Sequence, residues 1–321
     1  MKTKALPEQF LKRLTDIVGQ SLSSQLEKTF AERPTTFRVN TIKSSKREIM
    51  NALDDAGVKV KNVQWYGDAF ILQNKSKREL MELPIYTEGK IYIQSLASMC
   101  PPVVLRPEAG DKVLDLTAAP GSKTSQIAAF MNREGELLAN DNNKVRFFKL
   151  MHNMELLGVP VEKTDWKFTL RMEDGSHLCG EYQNYFDKIL VDAPCSAEAR
   201  FVDGDPKTYG YWNEKKIKEM AMKQRKLLFS AWYALKPGGT LVYSTCTFAP
   251  EENELQISKL LERFQAEIEM LDVKIDGLKI LSPLKKWKEK EFHPGVQKAI
   301  RILPTSEIEG FFVAKLRKKE N

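Results

Sequence analysis

From Asp111 onward, short apolar segments alternate with segments whose apolar residues recur at helical spacing. Each apolar segment has the length of a buried strand, and a helical segment follows most of them. This alternation predicts an α/β fold with a doubly wound, mostly parallel sheet. The predicted strands are residues 112–116, 136–140, 161–164, 186–191, 240–244 and 310–316. The last of them is expected to pair with a strand near residues 266–271. The predicted helices are residues 122–131, 144–157 and 220–235.

The part of the chain before this alternation predicts a small α+β domain. Apolar residues recur at helical spacing through the first 30 residues, and a second helix is predicted at 45–56. Short strands are predicted at 36–41, 70–72 and 91–93, and Pro101-Pro102 predicts the start of a helix or a linker. We therefore expect an N-terminal α+β domain at 1–105 and a Rossmann-like α/β domain at 106–321.

Bulk properties narrow the class of protein. The four cysteines, at positions 100, 179, 195 and 246, contain no CxxC pair, which argues against a disulfide framework and a zinc site. No apolar segment is long enough to cross a bilayer. The net charge of +7 is weak support for a polyanionic partner. We expect a cytoplasmic protein with no metal and no membrane partner, and a monomer is favoured.

The loop after the first strand of the α/β domain predicts a cofactor site without a pyrophosphate. A P-loop would need glycine at positions 117 and 122, and the dinucleotide pattern GxGxxG is also absent. Small residues allow close backbone approach, and the following helix offers free N–H groups to one carboxylate. The loop consists of Thr117, Ala118, Ala119, Pro120, Gly121, Ser122 and Lys123.

Two acidic residues complete the predicted cofactor site. Asp141 follows the second strand, where a carboxylate can accept both hydroxyls of a ribose. Asp174 follows the third strand and can accept from an adenine amino group. A ligand with a carboxylate, a ribose and an adenine but no phosphate is S-adenosylmethionine. The alternatives are an N-cap of the next helix for Asp141 and an ordinary turn residue for Asp174.

Two cysteines end apolar strands on the side where open α/β sheets bind ligands. Cys195 follows residues 189–194 and Cys246 follows 241–245, and Asp192 lies close to the first. Carbon 5 of a pyrimidine becomes nucleophilic when a thiolate adds to carbon 6. The reaction also needs an acid that hydrogen-bonds to the ring and a group that assists release of the product. Two thiols and a carboxylate suit this chemistry, and position alone leaves open which thiol attacks. The alternatives are small buried hydrophobes for the cysteines and a turn cap for Asp192.

These motifs resemble the NSUN family, also called Fmu or Sun-type, of RNA cytosine-5 methyltransferases. The likeness runs from about residue 35 to the end of the chain. The matching segments are residues 192–196 (the family's fourth motif), 243–247 with 250–253 (its sixth), 38–41 and 94–99 (its N-terminal signatures) and 310–315 (its closing strand).

The resemblance implies a role for each residue. Cys246 is the implied nucleophile and Cys195 the implied release group, and the presence of Cys246 favours RNA over DNA as substrate. The implied cofactor is S-adenosylmethionine, held by residues 117–123 with Asp141, Asp174 and Asp192, and the implied substrate is rRNA or tRNA. The predicted RNA contacts are Arg38, Asn40, Lys123 and Arg200, with an ordinary strand surface charge as the alternative for Arg38.

Four positions depart from the family pattern, of which Thr117, in place of the usual first cysteine of the cofactor loop, is expected to be harmless. Ser122 stands where the cofactor loop usually has a second glycine, and Ala197 and Ala199 replace glycines of the fourth motif. Glycine permits backbone angles with φ > 0, so the alanines bear on the geometry of the loop. They motivate a second hypothesis, in which the chain is a catalytically weakened RNA-binding or assembly factor. No further RNA-binding domain is expected after Lys319, so RNA choice would rest on the N-terminal domain and the basic surface.

Overall fold

A computed structural model describes residues 5–320, so residues 1–4 and 321 of the predicted domains lie outside the described range. The helices are α1 Glu8–Val18, α2 Gln20–Glu27, α3 Lys46–Asp55, α4 Lys77–Glu82, α5 Pro84–Thr87, α6 Leu96–Leu105, α7 Ser122–Phe130, α8 Lys144–Leu156, α9 Gly175–Leu178, α10 Glu214–Ala234 and α11 Glu254–Phe264. The strands are β1 Thr36–Val39, β2 Val60–Asn62, β3 Ala69–Leu72, β4 Ile91–Ile93, β5 Lys112–Asp115, β6 Gly135–Asn140, β7 Trp166–Arg171, β8 Phe186–Asp192, β9 Leu235–Thr245, β10 Ile268–Leu271, β11 Ile280–Leu281, β12 Lys286–Trp287, β13 Lys290–Glu291, β14 Ile300–Ile302 and β15 Phe311–Lys318.

The large sheet confirms the predicted fold class. Its parallel strands lie in the order β9-β8-β5-β6-β7. Adjacent residues of one strand, such as Leu137 and Leu138, belong to two different core clusters, because neighbouring side chains point to opposite faces. Both faces of the sheet are therefore covered. β15 pairs antiparallel with β9 and with β10, so the predicted closing strand and its partner are confirmed.

Local boundaries differ from the predictions at three places. The third parallel strand is β7, Trp166–Arg171, and not residues 161–164, because the apolar residues that alternate with polar ones begin at Trp166. Pro101 and Pro102 lie inside α6, where burial in the core outweighs their poor helix propensity. The long N-terminal helix is broken into α1 and α2 at Gly19, whose φ is 84°.

The N-terminal part of the chain consists of two pieces with different partners. β1 to β4 form a four-stranded antiparallel sheet in the order β2-β3-β1-β4. The helix α1 instead packs against the large domain: the ring of Phe10 lies 4.9 Å from that of Phe201 and 5.7 Å from that of Trp212. The helix α6 shares its core cluster with the large sheet. Between residues 5 and 320, no helix is both long and apolar enough to span a bilayer.

Replacing Phe10 by alanine should destabilise the protein by about 3–5 kcal/mol, because the cavity would form in a fully buried aromatic cluster. Denaturant unfolding monitored by circular dichroism measures this change. The control is Val145→Ala, at a side chain that is 68% exposed, with an expected change within about 0.5 kcal/mol. Equal stability of the Phe10 variant and wild type would show that α1 is not part of the folded core.

Candidate active site

The site lies at the carboxyl edge of the parallel strands. β5 and β8 are neighbours, but the chain continues from β5 to β6 on one side and from β8 to β9 on the other. The edge between them is thus the topological switch point, where open α/β sheets bind ligands. A cavity of about 590 Å³ opens there. Its predicted lining residues are Thr117, Ala118, Ala119, Pro120, Ser122, Lys123, Asp141, Asp174, Asp192, Cys195, Arg200 and Cys246.

Strand register brings the two predicted thiols together. Asp192, the last residue of β8, is paired with Ser244 of β9. Cys195 and Cys246 follow this pair by three and two residues. Their sulfur atoms lie 3.4 Å apart, within hydrogen-bonding distance for sulfur. The structure therefore joins two residues that are far apart in sequence into one reactive pair.

The surroundings of the thiols make them unequal. The hydrogen bond from the Cys195 thiol lowers the pKa of Cys246, and the positive charge of Arg200 lowers it further. The same hydrogen bond, together with burial, holds the pKa of Cys195 well above its usual range. Cys246 is thus the sulfur that is more readily ionised, and Cys195 is its proton-bearing neighbour.

Buried carboxylates, missed by the sequence analysis, connect the two cysteine loops. Glu198 accepts hydrogen bonds from Thr247 Oγ1 at 2.8 Å and the Phe248 N–H at 3.0 Å, both just beyond Cys246. Its other oxygen accepts from the Trp212 indole at 2.8 Å. Glu198 therefore fixes the loop after β8 to the loop after β9. In the sequence, only its position within the fourth motif could have identified Glu198 as a site residue.

Glu252 forms a second connection between these loops. Its Oε2 accepts from the Ser196 N–H at 3.0 Å and from Gln224 Nε2 at 2.7 Å. The residue is fully buried, and burial raises the pKa of its carboxyl to about 8. Two hydrogen bonds hold the carboxyl in place. Glu252, a residue of the sixth motif, thereby fixes the backbone next to Cys195.

The alanines of the fourth motif have different backbone conformations. Ala197 lies in the left-handed region at φ 56° and ψ 31°, the conformation that glycine adopts at low cost. Ala199, in the 3-10 turn Glu198–Arg200, does not have a positive φ, and its side chain is fully buried. The loop thus keeps a left-handed turn at position 197 without glycine, held by the carboxylates at 198 and 252.

Asp192 is the centre of a polar network at the cavity wall. Its Oδ2 lies 2.6 Å from Lys123 Nζ, and its Oδ1 accepts from Ser244 Oγ at 2.8 Å. Lys123 also donates to Ser98 Oγ of α6 at 2.6 Å. Thr117 Oγ1 donates to the Asp192 carbonyl at 2.8 Å, which ties the cofactor loop to β8. The carboxylate is therefore paired with an ammonium and fixed from both sides.

The cofactor loop turns at Gly121, which lies behind the cavity wall. Its φ is 102°, and a Cβ there would come within 2.5 Å of Met154 Cε and 3.0 Å of Leu150 Cδ1. The backbone conformation thus favours glycine, and a Cβ would also require the flexible ends of Met154 and Leu150 to shift. Ser122 is the first residue of α7, a helical position that any L-residue can adopt. The replacement of glycine by serine at 122 therefore needs no unusual backbone.

Asp141 is buried at the end of β6. Its Oδ1 accepts from the Asn143 N–H at 3.0 Å, and its Oδ2 accepts from the Ala119 N–H at 3.3 Å. The N-cap of α8 is Asn143, so Asp141 is not the cap residue. Arg146 Nη2, 3.2 Å from Asp141 Oδ2, was missed by the sequence analysis and also lines the cavity. The sequence feature that could have identified Arg146 is its position in the first turn of α8, five residues after Asp141.

Two further carboxylates line the cavity. Asp174 caps α9 by accepting from the Ser176 N–H at 2.9 Å, which is the turn role named as its alternative. Asp174 also lines the cavity, as the cofactor prediction requires. Asp115 was missed: it is fully buried, and its Oδ2 accepts from Thr124 Oγ1 at 2.7 Å. Its Oδ1 has no partner in residues 5–320, and burial raises the pKa of the carboxyl to about 7.

The prediction that Arg38 contacts RNA is wrong, and so is its alternative of a surface charge. The side chain is fully buried. It donates from Nε to Gln94 Oε1 at 2.9 Å and from Nη2 to Ser125 Oγ at 2.6 Å and the Ser122 carbonyl at 3.2 Å. Arg38 therefore fastens the N-terminal sheet to the helix that follows the cofactor loop.

Asn40 is also fully buried, and its predicted RNA contact is likewise wrong. Its amide donates to the Gly89 carbonyl at 2.8 Å and to the Leu157 carbonyl at 2.9 Å, across the two domains. Lys123 is 6% exposed at the cavity wall. Arg200 is exposed at the same cavity, so of the four predicted RNA contacts it is the accessible one.

The doubly wound sheet and the small-residue loop at its switch point define a Rossmann-like methyltransferase domain. A family model described as 16S rRNA methyltransferase RsmB/F matches residues 102–317. A second, described as the N-terminal domain of 16S rRNA methyltransferase RsmF, matches residues 6–96. The chain belongs to this family of RNA methyltransferases, and the resemblance to the NSUN or Sun-type family is confirmed.

Individual relatives agree with this assignment. A tRNA (cytosine(49)-C(5))-methyltransferase from Pyrococcus abyssi is 36% identical over 287 residues, which cover 88% of both chains. A ribosomal RNA small subunit methyltransferase F from Pectobacterium atrosepticum is 34% identical, and the match covers 98% of this chain but only 63% of that relative. The crystal structure of a methyltransferase homolog from Pyrococcus horikoshii has a TM-score of 0.81 at 32% identity and covers 98% of this chain and 95% of its own.

Replacing Arg200 by glutamine should raise the pKa of Cys246, because the variant loses a positive charge that stabilises the thiolate. Alkylation of Cys246 by iodoacetamide should then require a higher pH than in the wild type. Mass spectrometry of the Cys246 peptide over a pH series measures the midpoint. Arg200→Lys keeps the charge and is the control. An identical midpoint in the glutamine variant and wild type would contradict the role of Arg200.

Replacing Ala197 by glycine should stabilise the protein by about 1 kcal/mol, because glycine adopts the left-handed conformation without a Cβ penalty. Ala199→Gly is the matched control and should destabilise, since it removes a buried methyl group and adds freedom to the unfolded chain. Both values come from denaturant unfolding. A destabilised Ala197 variant would count against the left-handed turn.

Proposed function

We propose that this chain transfers a methyl group from S-adenosylmethionine to carbon 5 of a cytosine in rRNA or tRNA, through a covalent bond between Cys246 and carbon 6. The observation that supports this most strongly is the 3.4 Å contact between two thiols at the switch point of a methyltransferase sheet. The contact makes one thiol easier to ionise and keeps the other protonated. Membership in a family of RNA methyltransferases supports RNA as the substrate.

The cavity suits the proposed cofactor. Its volume of about 590 Å³ lies inside the usual range of small-molecule sites, about 300–1,000 Å³. The start of α7 offers N–H groups to a carboxylate, and Asp141 and Asp174 are acceptors for ribose hydroxyls and an adenine amino group. Asp115 has a buried oxygen without a partner in the described range, which a polar ligand atom can satisfy. When bound, S-adenosylmethionine supplies an electrophilic methyl group.

Cys246 begins the proposed reaction as a thiolate. Its sulfur donates an electron pair to carbon 6 of the cytosine, and the carbon 5–carbon 6 π electrons move into the ring, which makes carbon 5 nucleophilic. A cation near the ring stabilises the charge that develops there. Lys123, held against Asp192 in the cavity wall, is in a position to provide that cation.

Asp192 orients the base in this proposal. Its carboxylate lines the cavity, is fixed by Lys123 and Ser244, and can accept a hydrogen bond from the 4-amino group of cytosine. Uracil has a carbonyl in place of that amino group, so an ionised Asp192 disfavours it. The target base must leave any stack to reach this depth.

Cys195 assists the release of the product. After methyl transfer, a base removes the proton of carbon 5, the electron pair of that carbon–hydrogen bond re-forms the double bond between carbons 5 and 6, and the carbon 6–sulfur bond breaks with its electron pair returning to the Cys246 sulfur. The Cys195 S–H, hydrogen-bonded to this sulfur, stabilises the departing thiolate. The raised pKa of Cys195 keeps it protonated for this purpose. The division of roles implied by the family motifs therefore has a physical reason in this site.

The remaining assignments are proposals of the same kind. We propose that residues 1–105 act as the RNA-binding domain and that the protein works in the cytoplasm, where thiols stay reduced. The four cysteines, all free in the structure, support this location. Among residues 5–320 no cluster of three potential ligands could hold a metal ion, and thiol chemistry at carbon 6 requires none. The RsmF relative is longer than this chain, so the RNA target of the whole protein is also a proposal.

Replacing Cys246 by alanine should abolish methylation and covalent RNA trapping, because no nucleophile would remain for carbon 6. Cys195→Ala should instead leave a longer-lived protein–RNA adduct, visible as a shifted band on a denaturing gel. The substrates are unmodified tRNA and 16S rRNA transcripts, and Cys179→Ala is the control thiol, buried away from the cavity. Methylation by the Cys246 variant, or equal adducts in both variants, would contradict the proposed roles.

The alternative function, a weakened RNA-binding or assembly factor, is motivated by Ser122, Ala197 and Ala199. Titration calorimetry with S-adenosylmethionine separates the two functions. We expect binding, with affinity weakened at least tenfold in Asp141→Ala because the variant loses a buried acceptor at the cavity. A wild-type protein that binds RNA but not the cofactor would favour the assembly factor. Bisulfite sequencing of rRNA and tRNA after gene deletion identifies the target cytosine.

A further inference from the structure

Two thiols of the cavity wall lie in contact without a bond between them. The sulfur atoms of Cys195 and Cys246 lie 3.4 Å apart, and both residues line the cavity. All four cysteines of the chain are free. The other two, Cys100 and Cys179, are buried and are not among the described residues that line the cavity. A small molecule that enters the cavity can therefore reach a pair of adjacent thiols.

Backbone hydrogen bonds hold the two chain segments together on either side of the thiols. Before the cysteines, the Ala193 N–H donates to the Ser244 carbonyl at 2.9 Å. After them, the Ala199 N–H donates to the Cys246 carbonyl at 3.1 Å. The loop that carries Cys195 is thus fixed to the loop that carries Cys246 at both of its ends. The contact between the sulfur atoms is therefore a consequence of the backbone arrangement.

Closing a bond between the sulfur atoms needs only a small movement. A disulfide bond is about 2.05 Å long, so the sulfur atoms must approach by about 1.4 Å. Rotations about the Cα–Cβ bonds of both cysteines supply this movement while the backbone stays in place. Neighbouring strands lie about 4.8 Å apart, and disulfides join residues whose Cα atoms are about 4.4–6.8 Å apart. The hydroxyls of Ser196 and Thr247, the residues after the two cysteines, already lie 2.8 Å apart.

The thiols of the chain differ in their readiness to react with an oxidant. The thiolate is the form that attacks a peroxide. The hydrogen bond from Cys195 and the positive charge of Arg200 lower the pKa of Cys246. Burial raises the pKa of Cys100 well above its usual range and that of Cys179 to about 12, so both stay protonated. Oxidation is therefore expected first at Cys246.

We propose that Cys195 and Cys246 are a redox modification site, in which a peroxide converts the two thiols to a disulfide and a dithiol reduces it again. The Cys246 thiolate attacks one peroxide oxygen, the O–O bond breaks, and the departing hydroxide takes up a proton to become water. Cys246 is then a sulfenic acid. Cys195 loses its proton, its sulfur attacks the Cys246 sulfur, and the S–O bond breaks with the hydroxyl group leaving as water. Two thiols lose two electrons, and one hydrogen peroxide becomes two waters.

The sulfur contact favours the disulfide over other products of oxidation. A sulfenic acid condenses with a nearby thiol, combines with a thiol from solution or is oxidised further to a sulfinic acid. Cys195 is already in contact with the reacting sulfur. A group held in place reacts as though it were far more concentrated than any solute. The disulfide should therefore form first, and it protects Cys246 from irreversible oxidation.

The disulfide occupies both sulfur atoms of the active site. Neither sulfur can then attack carbon 6 or assist release, so methyl transfer stops until thiol–disulfide exchange with a dithiol restores the pair. Disulfides of cytosolic proteins are usually transient bonds of this catalytic or redox-sensing kind. The effect on methylation rests on the proposed function, whereas formation of the disulfide needs only the geometry of the thiols.

The test treats the full chain with equimolar hydrogen peroxide, labels the remaining thiols with N-ethylmaleimide under denaturing conditions and identifies the products by mass spectrometry. Wild type should carry four labels before oxidation and two after it, with a cross-link between the peptides of Cys195 and Cys246. Dithiothreitol should restore all four labels. In Cys195→Ser, Cys246 should instead gain oxygen without a cross-link. Cys179→Ala removes a thiol outside the cavity and is the matched control, which should form the wild-type cross-link.

Three results would overturn the redox site. In the first, wild type keeps all four labels at a peroxide concentration that oxidises Cys246 in the Cys195→Ser variant. In the second, Cys246 gains oxygen equally in wild type and in that variant, so that the second thiol takes no part. In the third, added glutathione at the concentration of the protein gives a mixed disulfide as the main product of wild type.

Activity measurements separate the redox site from the proposed function. Methylation of the transcript should fall in proportion to the cross-linked fraction and recover with dithiothreitol. If wild type forms the cross-link but methylates no RNA cytosine, the function is wrong while the disulfide stands. If wild type methylates RNA but forms no cross-link, the disulfide is wrong while the function stands. Undiminished methylation by fully cross-linked protein would contradict both the regulatory effect and the role of Cys246 as nucleophile.

Discussion

The contact between Cys195 and Cys246 depends on the register of two parallel strands. A shift of β8 by one residue against β9 would turn all its side chains to the opposite face of the sheet and would separate the sulfur atoms. The 3.4 Å distance therefore requires the whole parallel sheet as well as the two loops. It also sets the chemistry, because one thiol donates to the other and so changes the pKa of both.

The cofactor loop depends on the N-terminal domain for part of its support. Arg38, on a strand of the small sheet, donates to the Ser122 carbonyl and the Ser125 hydroxyl in the first turn of α7. Burial lowers the pKa of Arg38, a sign that solvent is excluded from this junction. An RNA that moved the small sheet would act directly on the helix that follows the loop. Hydrogen bonds from Arg38 thus join the small sheet to the helix that follows the cofactor loop, and the helix α6 between the two parts belongs to the core of the large sheet.

Much of the site was predictable from sequence because strand ends are local features. The alternation after Asp111 located the parallel strands, and polar residues directly after them had to meet at one edge. The sequence alone could not show which residues far apart in the chain become hydrogen-bond partners. Arg38 was assigned to RNA because nothing local shows that its partner lies 87 residues away on α7. Asp115 was missed because a carboxylate at a strand end gives no sign of how deeply it will be buried.

Ala197 shows how packing can replace a local preference. The turn after Cys195 needs a left-handed residue, and an isolated chain would favour glycine there. Here Glu198 and Glu252 fix the loop on either side with five hydrogen bonds from buried donors, each worth about 1 kcal/mol net. Their sum exceeds the cost of about 1–2 kcal/mol for an L-residue in this region. The loop geometry, and with it the position of Cys195, is therefore set by the two buried carboxyl groups, and the glycine of the family pattern is dispensable for it.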